Sequence, residues 1–123
     1  MQFNFHIINE QVIAELNSKS IAIQSVNDAL DLLANANAHE SNKIIVHKSN
    51  ITTDFFDLKT RLAGDILQKF VNYDFHVAIV GEFAQSSSRS LRDFIYESNK
   101  IGRIIFVSTL DEAINKLSMI NDK

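Results

Sequence analysis

Apolar and polar residues alternate at the start of the chain. Residues 3–7 alternate phenylalanine or isoleucine with polar residues, which is the period of a half-buried strand. A second run of this kind occupies residues 11–16 and is separated from the first by Asn9-Glu10. Two such runs joined by two polar residues predict a β-hairpin with a tight turn.

The rest of the chain alternates short apolar runs with longer segments in which apolar residues recur every three or four positions. The runs at residues 43–47, 76–80 and 104–107 are typical of strands covered on both faces. Helical spacing is found at residues 26–38, 54–73, 88–100 and 110–118. The order β-β-α-β-α-β-α-β-α predicts an α/β domain: a mixed, mostly parallel five-stranded sheet with helices packed on it.

Local signals fix some of the helix ends. Ser25 and Thr109 each precede an acidic residue by three positions, and such pairs are typical of capping boxes at helix starts. Residues 85–88 are predicted to form a polar loop, and residues 119–123 to fray. Gly64 lies inside the second predicted helix, where we expect it to permit close approach of a neighbouring element.

Composition narrows the class of protein. The 123 residues, 46% of them hydrophobic, fit a single domain over residues 1–123. No apolar run approaches the length of a membrane span, and no signal peptide is recognisable, so we expect a cytoplasmic protein without a membrane partner. The absence of cysteine excludes disulfides and thiol catalysis. The net charge of −3, with no basic stripe, argues against nucleic-acid binding.

Catalytic and cofactor motifs are missing from the sequence. It contains no P-loop, no Gly-x-Gly-x-x-Gly fingerprint and no Gly-x-Ser-x-Gly elbow. No two of the four histidines have the spacing of metal ligands on a helix. We therefore expect no cofactor, no metal site and no identifiable catalytic residue, and the sequence does not favour an enzyme.

A binding site is expected at the carboxyl edge of the sheet, where ligands of parallel sheets gather. The loop after the third strand and the start of the second helix supply the first set of candidates. These candidates are Thr52, Thr53, Asp54, Phe55, Asp57, Thr60 and Arg61. The alternative role of the polar residues in this set is to form turns and helix caps. Phe55 and Phe56 are adjacent, so we expect one ring to face the core and the other to face the surface.

A second set of candidates forms an alternative pocket at the same edge. His47 closes the third predicted strand, while Glu82 and Ser108 follow the fourth and fifth. If these three side chains converge with Asp54, the site suits a small molecule or the acid–base chemistry of a small enzyme.

Several phrases of the sequence resemble an uncharacterised bacterial family, the domain of unknown function numbered 4180. The resemblance covers nearly the whole chain and brings no activity with it. The phrases are Asp54-Phe55-Phe56-Asp57-Leu58-Lys59-Thr60, Ala63-Gly64-Asp65-Ile66-Leu67-Gln68-Lys69-Phe70, Ala78-Ile79-Val80-Gly81 and Asp93-Phe94-Ile95-Tyr96-Glu97-Ser98-Asn99.

The predicted element order is also similar to that of STAS (sulfate transporter and anti-sigma factor antagonist) domains. That resemblance implies a non-enzymatic switch that binds a protein partner and is controlled by phosphorylation at the start of the second main helix. The Asp-Ser-Ser/Ala-Gly-type sequence that STAS domains carry there is not present in this chain, and residues 57–60 are only distantly similar to it. The leading hypothesis is thus a STAS-like regulatory or protein-interaction domain. Its alternatives are a small-molecule binder or small enzyme, and a homodimer whose role is assembly.

Overall fold

The computed structural model describes residues 1–83 and 88–120. Its strands are β1 (Phe3–Ile8), β2 (Gln11–Leu16), β3 (Lys43–His47), β4 (His76–Val80) and β5 (Ile104–Val107). Its helices are α1 (Val26–Ala38), α2 (Leu62–Asn72), α3 (Arg89–Ile101) and α4 (Leu110–Ser118). The predicted element order is confirmed. The predicted loop at 85–88 and frayed end at 119–123 lie largely outside the described residues.

The five strands form one sheet in the order β1-β2-β3-β4-β5. β1 and β2 are antiparallel, and every other neighbouring pair is parallel. The predicted hairpin turn is present, since Asn9 and Glu10 have φ angles of 51° and 65°. Two consecutive left-handed residues define the type I′ turn, whose twist matches that of the strands it joins.

The two faces of the sheet are covered unequally. Helices α1, α2 and α3 pack on one face, where Ile44, Val77 and Ile104 belong to the larger apolar core. On the opposite face α4 packs over β2, β3, β4 and β5, and Ala113 and Leu117 contribute to a smaller core. The hairpin end of this second face therefore carries polar side chains that keep some contact with solvent.

The second helix starts later than predicted. The sequence pattern places its start near Asp54, but α2 begins at Leu62. Residues Thr53–Phe56 and Leu58–Thr60 instead form two short 3-10 turns. Arg61 has a left-handed backbone with φ 64°, which separates these turns from α2.

Side-chain hydrogen bonds explain why this segment is not α-helical. The Asp57 carboxylate accepts a hydrogen bond from the backbone N–H of Lys59 at 3.2 Å. The Thr60 hydroxyl approaches the carbonyl oxygens of Asp54 at 2.7 Å and Asp57 at 2.9 Å. Such bonds offer the backbone an alternative to the helical ladder, which is the usual behaviour of Asp and Thr near helix starts. Asp54 and Asp57 consequently do not share a helix face.

The glycines differ in what they permit. A Cβ atom added at Gly64 would find nothing within 4 Å, so the prediction that this glycine allows close helix approach is wrong. Close approach occurs at Gly81, where an added Cβ would lie 2.7 Å from the Cβ of Lys48. This contact brings the end of β4 against the segment that follows β3.

The Ser25 and Thr109 caps are present, but Asp28 and Glu112 accept from the N–H of the residue before each cap and not from the cap residue itself, as a capping box requires. The Ser25 hydroxyl accepts from the backbone N–H of Asp28, whose carboxylate accepts from that of Gln24 at 2.9 Å. The Thr109 hydroxyl accepts from the N–H of Glu112 at 3.1 Å. These bonds satisfy amides that the first turns of α1 and α4 leave free.

Candidate functional site

A cavity of about 410 Å³ opens at the carboxyl edge of the sheet, between the segments that follow β3 and β4. Its walls combine aromatic rings with hydroxyl and charged groups. The residues that line it are Lys48, Thr53, Phe56, Asp57, Phe83, Ser88 and Leu91. Apolar walls with a few polar groups are the usual composition of a binding cavity.

Lys48 supplies the positive charge of this cavity. Its Nζ lies 5.1 Å from the ring centroid of Phe83 and 5.8 Å from that of Phe56. The same ammonium group donates a hydrogen bond to the carbonyl oxygen of Glu82 at 2.8 Å. The two rings lie 5.8 Å apart, so Lys48 is held over an aromatic wall.

The cavity brings together only part of the first candidate set. Thr53 and Asp57 line it and are exposed, and Asp54 is exposed in the same 3-10 turn. Thr52 is half-buried at the start of that turn. Thr60 bonds to backbone carbonyl groups, and Arg61 adopts the left-handed conformation that precedes α2.

The two adjacent phenylalanines divide as the sequence suggests. Phe55 is only 2% exposed and belongs to the larger core. Phe56 is half-buried and lines the cavity, with its ring centroid 5.1 Å from that of Phe55. Phe55 therefore supports the cavity wall from beneath, while Phe56 forms part of its surface.

The residues of the alternative pocket, with Asp54, lie in three different places. Glu82 and Ser108 line a second cavity of about 220 Å³ between the ends of β4 and β5. The Ser108 N–H donates to the Glu112 carboxylate as part of the α4 cap. His47 bonds instead to Glu15 of β2, and Asp54 lies in the 3-10 turn beside the first cavity.

His47 belongs to a cluster that sequence reasoning missed. The Nε2 of His47 lies 2.8 Å from Oε2 of Glu15, and the Nε2 of His6 lies 2.9 Å from Oε1. Burial by itself raises the pKa of the Glu15 carboxyl, but the hydrogen bonds and positive charge of His47 and His6 outweigh it and lower that pKa. One signal was available: Glu15 interrupts an otherwise apolar strand, and a charge there needs partners.

Asn50 fixes the chain just after His47. Its side chain is fully buried and donates to the carbonyl oxygens of Ser18 and Ser20, both at 3.0 Å. Its Oδ1 accepts from the backbone N–H of His47 at 3.1 Å. This network ties the loop before α1 to the end of β3.

Residues 1–83 and 88–120 contain neither a candidate metal site nor a candidate membrane-spanning helix. No cluster of three or more His, Cys, Asp or Glu side chains in this part of the chain has an arrangement that could hold a metal ion. Its helices are all too short or too polar to cross a membrane.

The chain matches one protein family in sequence and is distantly similar in structure to a solved protein. Residues 8–117 match the family described as Domain of unknown function (DUF4180), which confirms the resemblance drawn from the sequence phrases. No curated protein matches the sequence. Among solved structures, a Thermotoga maritima protein described as a candidate anti-sigma factor antagonist is 16% identical over 94% of each chain, with a TM-score of 0.47. At that identity and TM-score the likeness is distant and says nothing of function.

Proposed function

The chain belongs to the DUF4180 family, and we propose that it is a non-enzymatic regulatory or protein-interaction domain. Its partner would bind at the carboxyl edge of the sheet, on the surface formed by the first cavity and by residues 52–61. We call this surface the edge surface. The observation that carries the proposal is the cavity itself, about 410 Å³ in volume and walled by Phe56 and Phe83.

The composition of the cavity suits a side chain of a protein partner. Protein interfaces concentrate their binding energy where an apolar or aromatic anchor fills a pocket with a polar rim. Phe56, Phe83 and Leu91 provide apolar walls, while Thr53 and Asp57 provide polar groups at the opening. Lys48 and Asp57 carry the ionisable groups of the lining, and no histidine is among them. This chemistry favours binding over proton transfer.

The segment beside the cavity is braced by hydrogen bonds and by contacts with the larger core. The Thr60 hydroxyl joins the two 3-10 turns through the carbonyl oxygens of Asp54 and Asp57. Phe55 anchors the first turn in the core, and Leu58 packs against the same core. A preformed surface loses less conformational entropy on binding than a flexible one, which favours recognition here.

A capture experiment with matched variants tests the proposal. The wild-type domain and the double variant Thr53→Arg, Asp54→Arg are immobilised and exposed to lysate of the source cell, and captured proteins are quantified by mass spectrometry. The control is Asp31→Arg with Asn35→Arg, which makes the same change of charge on exposed positions of α1. We expect a partner that the wild type and the control capture and the edge-surface variant loses. Equal capture by all three proteins contradicts the proposal.

The same cavity supports a second function, the binding of a small molecule. Lys48 presents a cation above two rings, an arrangement that suits an anionic ligand with an apolar or aromatic part. A ligand that binds only the folded state raises the melting temperature. Screening anionic metabolites by thermal shift, with Lys48→Met as the control, would support this function if a shift appears in the wild type and is absent from the variant.

A further inference from the structure

β1 forms one edge of the sheet and exposes large apolar side chains. It pairs only with β2, so its other side is unpaired within the described residues 1–83 and 88–120. Phe5 is 41% exposed and Ile7 is 71% exposed, and both point to the face that carries Phe3. The ring of His39 lies 4.9 Å from that of Phe5 and covers one side of it.

The hairpin register determines which backbone groups face the open edge. Ile8 and Gln11 flank the two-residue turn and therefore form a hydrogen-bonded pair, after which bonded and non-bonded pairs alternate along the strands. The carbonyl of Gln2 accepts from the N–H of Asn17 at 2.9 Å, which agrees with this alternation. The even-numbered residues of β1 thus bond to β2. The N–H and C=O groups of Phe3, Phe5 and Ile7 point outward.

The open edge lacks the features that usually prevent pairing. Natural edge strands are protected by charged residues, proline or bulges. Residues 3–8 read Phe-Asn-Phe-His-Ile-Ile and contain no lysine, arginine, acidic residue or proline. The register with β2 is continuous over all six residues, so no bulge bends the strand away.

We infer that β1 pairs with β1 of a second copy of this chain, antiparallel and about a two-fold axis at Phe5. In this register Phe5 faces Phe5 of the second copy. Phe3 faces Ile7 of the second copy, and Ile7 faces its Phe3. Among the two-fold symmetric registers, only this one pairs Phe3, Phe5 and Ile7, whose N–H and C=O groups point outward, with the same three residues of the second copy. Six backbone hydrogen bonds would form and join the two sheets into one of ten strands.

The composition of β1 suits pairing with a second copy of the same strand. A two-fold axis places identical groups near each other, so a charged strand would bring like charges together. β1 contains no lysine, arginine or acidic residue that would cause such repulsion, although the chain has a net charge of −3. Pairing Phe3 with Ile7 removes from water the most exposed large apolar side chain of β1, and aromatic and β-branched residues are favourable cross-strand neighbours. This inference is independent of the edge surface, which lies on other residues.

Single cysteines test both the contact and its register, because the natural chain has no cysteine. Directly opposite residues of a hydrogen-bonded pair have Cα atoms about 5.5 Å apart, within reach of a disulfide. Phe5→Cys should therefore give a disulfide-linked dimer under mild oxidation. Ile7→Cys should not form a disulfide-linked dimer, because the two cysteines would lie four residues apart along the paired strands, at about 3.4 Å per residue. The double variant Phe3→Cys, Ile7→Cys should link again. Equal linkage of Ile7→Cys and Phe5→Cys would overturn the register.

Sedimentation velocity over a wide range of protein concentration tests self-association without cysteines. We expect the wild type to form a species of twice 13.9 kDa. Ile7→Lys should weaken this association at least about tenfold, because a two-fold dimer loses the apolar contact twice. Ile7→Pro should do the same by removing an outward N–H while leaving the hairpin bonds. Ile101→Lys, at 68% exposure on α3, is the control and should dimerise like the wild type. A wild type that stays monomeric at every concentration would overturn the inference.

Discussion

The Nε2 of His47 lies 2.8 Å from Oε2 of Glu15, and this contact joins the carboxyl ends of β3 and β2. His6 of β1 approaches the other oxygen of the same carboxylate at 2.9 Å. One buried acid thus links three neighbouring strands on the face that α4 covers only in part. Both imidazole groups are partly exposed.

The first prediction concerns the stability of the fold in acid. The pKa of Glu15 is lowered in the folded state from its ordinary value of 4.5. As the pH falls, the Glu15 carboxyl therefore takes up a proton in the unfolded chain before it does so in the folded chain. The stability that Glu15 contributes above its unfolded pKa is lost as the pH falls through its lower, folded pKa. Urea denaturation at several pH values should show the wild type losing free energy of unfolding below about pH 5, and this loss should be smaller in Glu15→Gln.

The matched control for this prediction is Glu97→Gln, which changes an exposed carboxyl on α3. It should retain the acid-dependent loss of the wild type. At neutral pH, Glu15→Gln should cost about 1–3 kcal/mol because the two imidazoles lose a charged acceptor. If the profiles of the wild type and Glu15→Gln were parallel between pH 7 and pH 3, the carboxylate would contribute nothing specific to the folded state.

The second prediction is that Gly64→Ala stabilises the protein. Gly64 is exposed within α2, and an added Cβ has open space around it. Alanine is favoured over glycine in a helix interior by about 1 kcal/mol. Urea or thermal denaturation should therefore show a gain of about 0.5–1 kcal/mol. Gly81→Ala is the contrasting variant and should destabilise the protein, because its Cβ would lie 2.7 Å from the Cβ of Lys48.

The sequence pattern predicted the element order, the hairpin and the helix caps Ser25 and Thr109, because these depend on residues close together in the chain. The start of α2 differs from the prediction because the hydrogen bonds of Asp57 and Thr60 compete with helical bonds. The spacing of apolar residues carries no information about that competition. Gly64 was misinterpreted because packing around a helix depends on partners that sequence does not give.

The candidate site was predictable only in part. That polar residues after β3 and β4 meet at one edge follows from parallel pairing, and Thr53 and Asp57 do line a common cavity. The contact of His6 and His47 with Glu15 joins residues 9 and 32 positions apart. It depends on strand order, which the sequence leaves open. Lys48 was likewise missed, since its role arises from Phe56 and Phe83 beneath it.

The third prediction concerns the hairpin turn. Glu10 has a φ of 65°, a left-handed conformation that glycine adopts without cost and that other residues adopt at a cost of roughly 1 kcal/mol. Glu10→Gly should therefore raise the free energy of unfolding by about 0.5–1 kcal/mol. Glu10→Ala removes the same charge but keeps the Cβ, so it should give no such gain. Equal effects of the two variants in urea denaturation would attribute any change to charge and not to the backbone.

The fourth prediction links the edge surface to its internal bonds. The Thr60 hydroxyl donates to the carbonyl oxygens of Asp54 and Asp57 and accepts from the N–H of Leu62 at 3.3 Å. Thr60→Val keeps the shape of the side chain but removes these bonds, and should cost about 1 kcal/mol of stability. Amide hydrogen exchange should become faster at Asp57 and Thr60, whose N–H groups close the two 3-10 turns.

Thr60→Ser is the rescue variant, because serine restores the hydroxyl without the methyl group. It should return exchange at Asp57 and Thr60 towards the wild-type rates and recover any partner captured through Thr53 and Asp54. Loss of capture in Thr60→Val, with recovery in Thr60→Ser, is the result expected if binding requires the preformed turns. Unchanged capture in Thr60→Val, despite faster exchange, would mean that the partner orders this segment itself and that its rigidity in the free domain does not contribute to recognition.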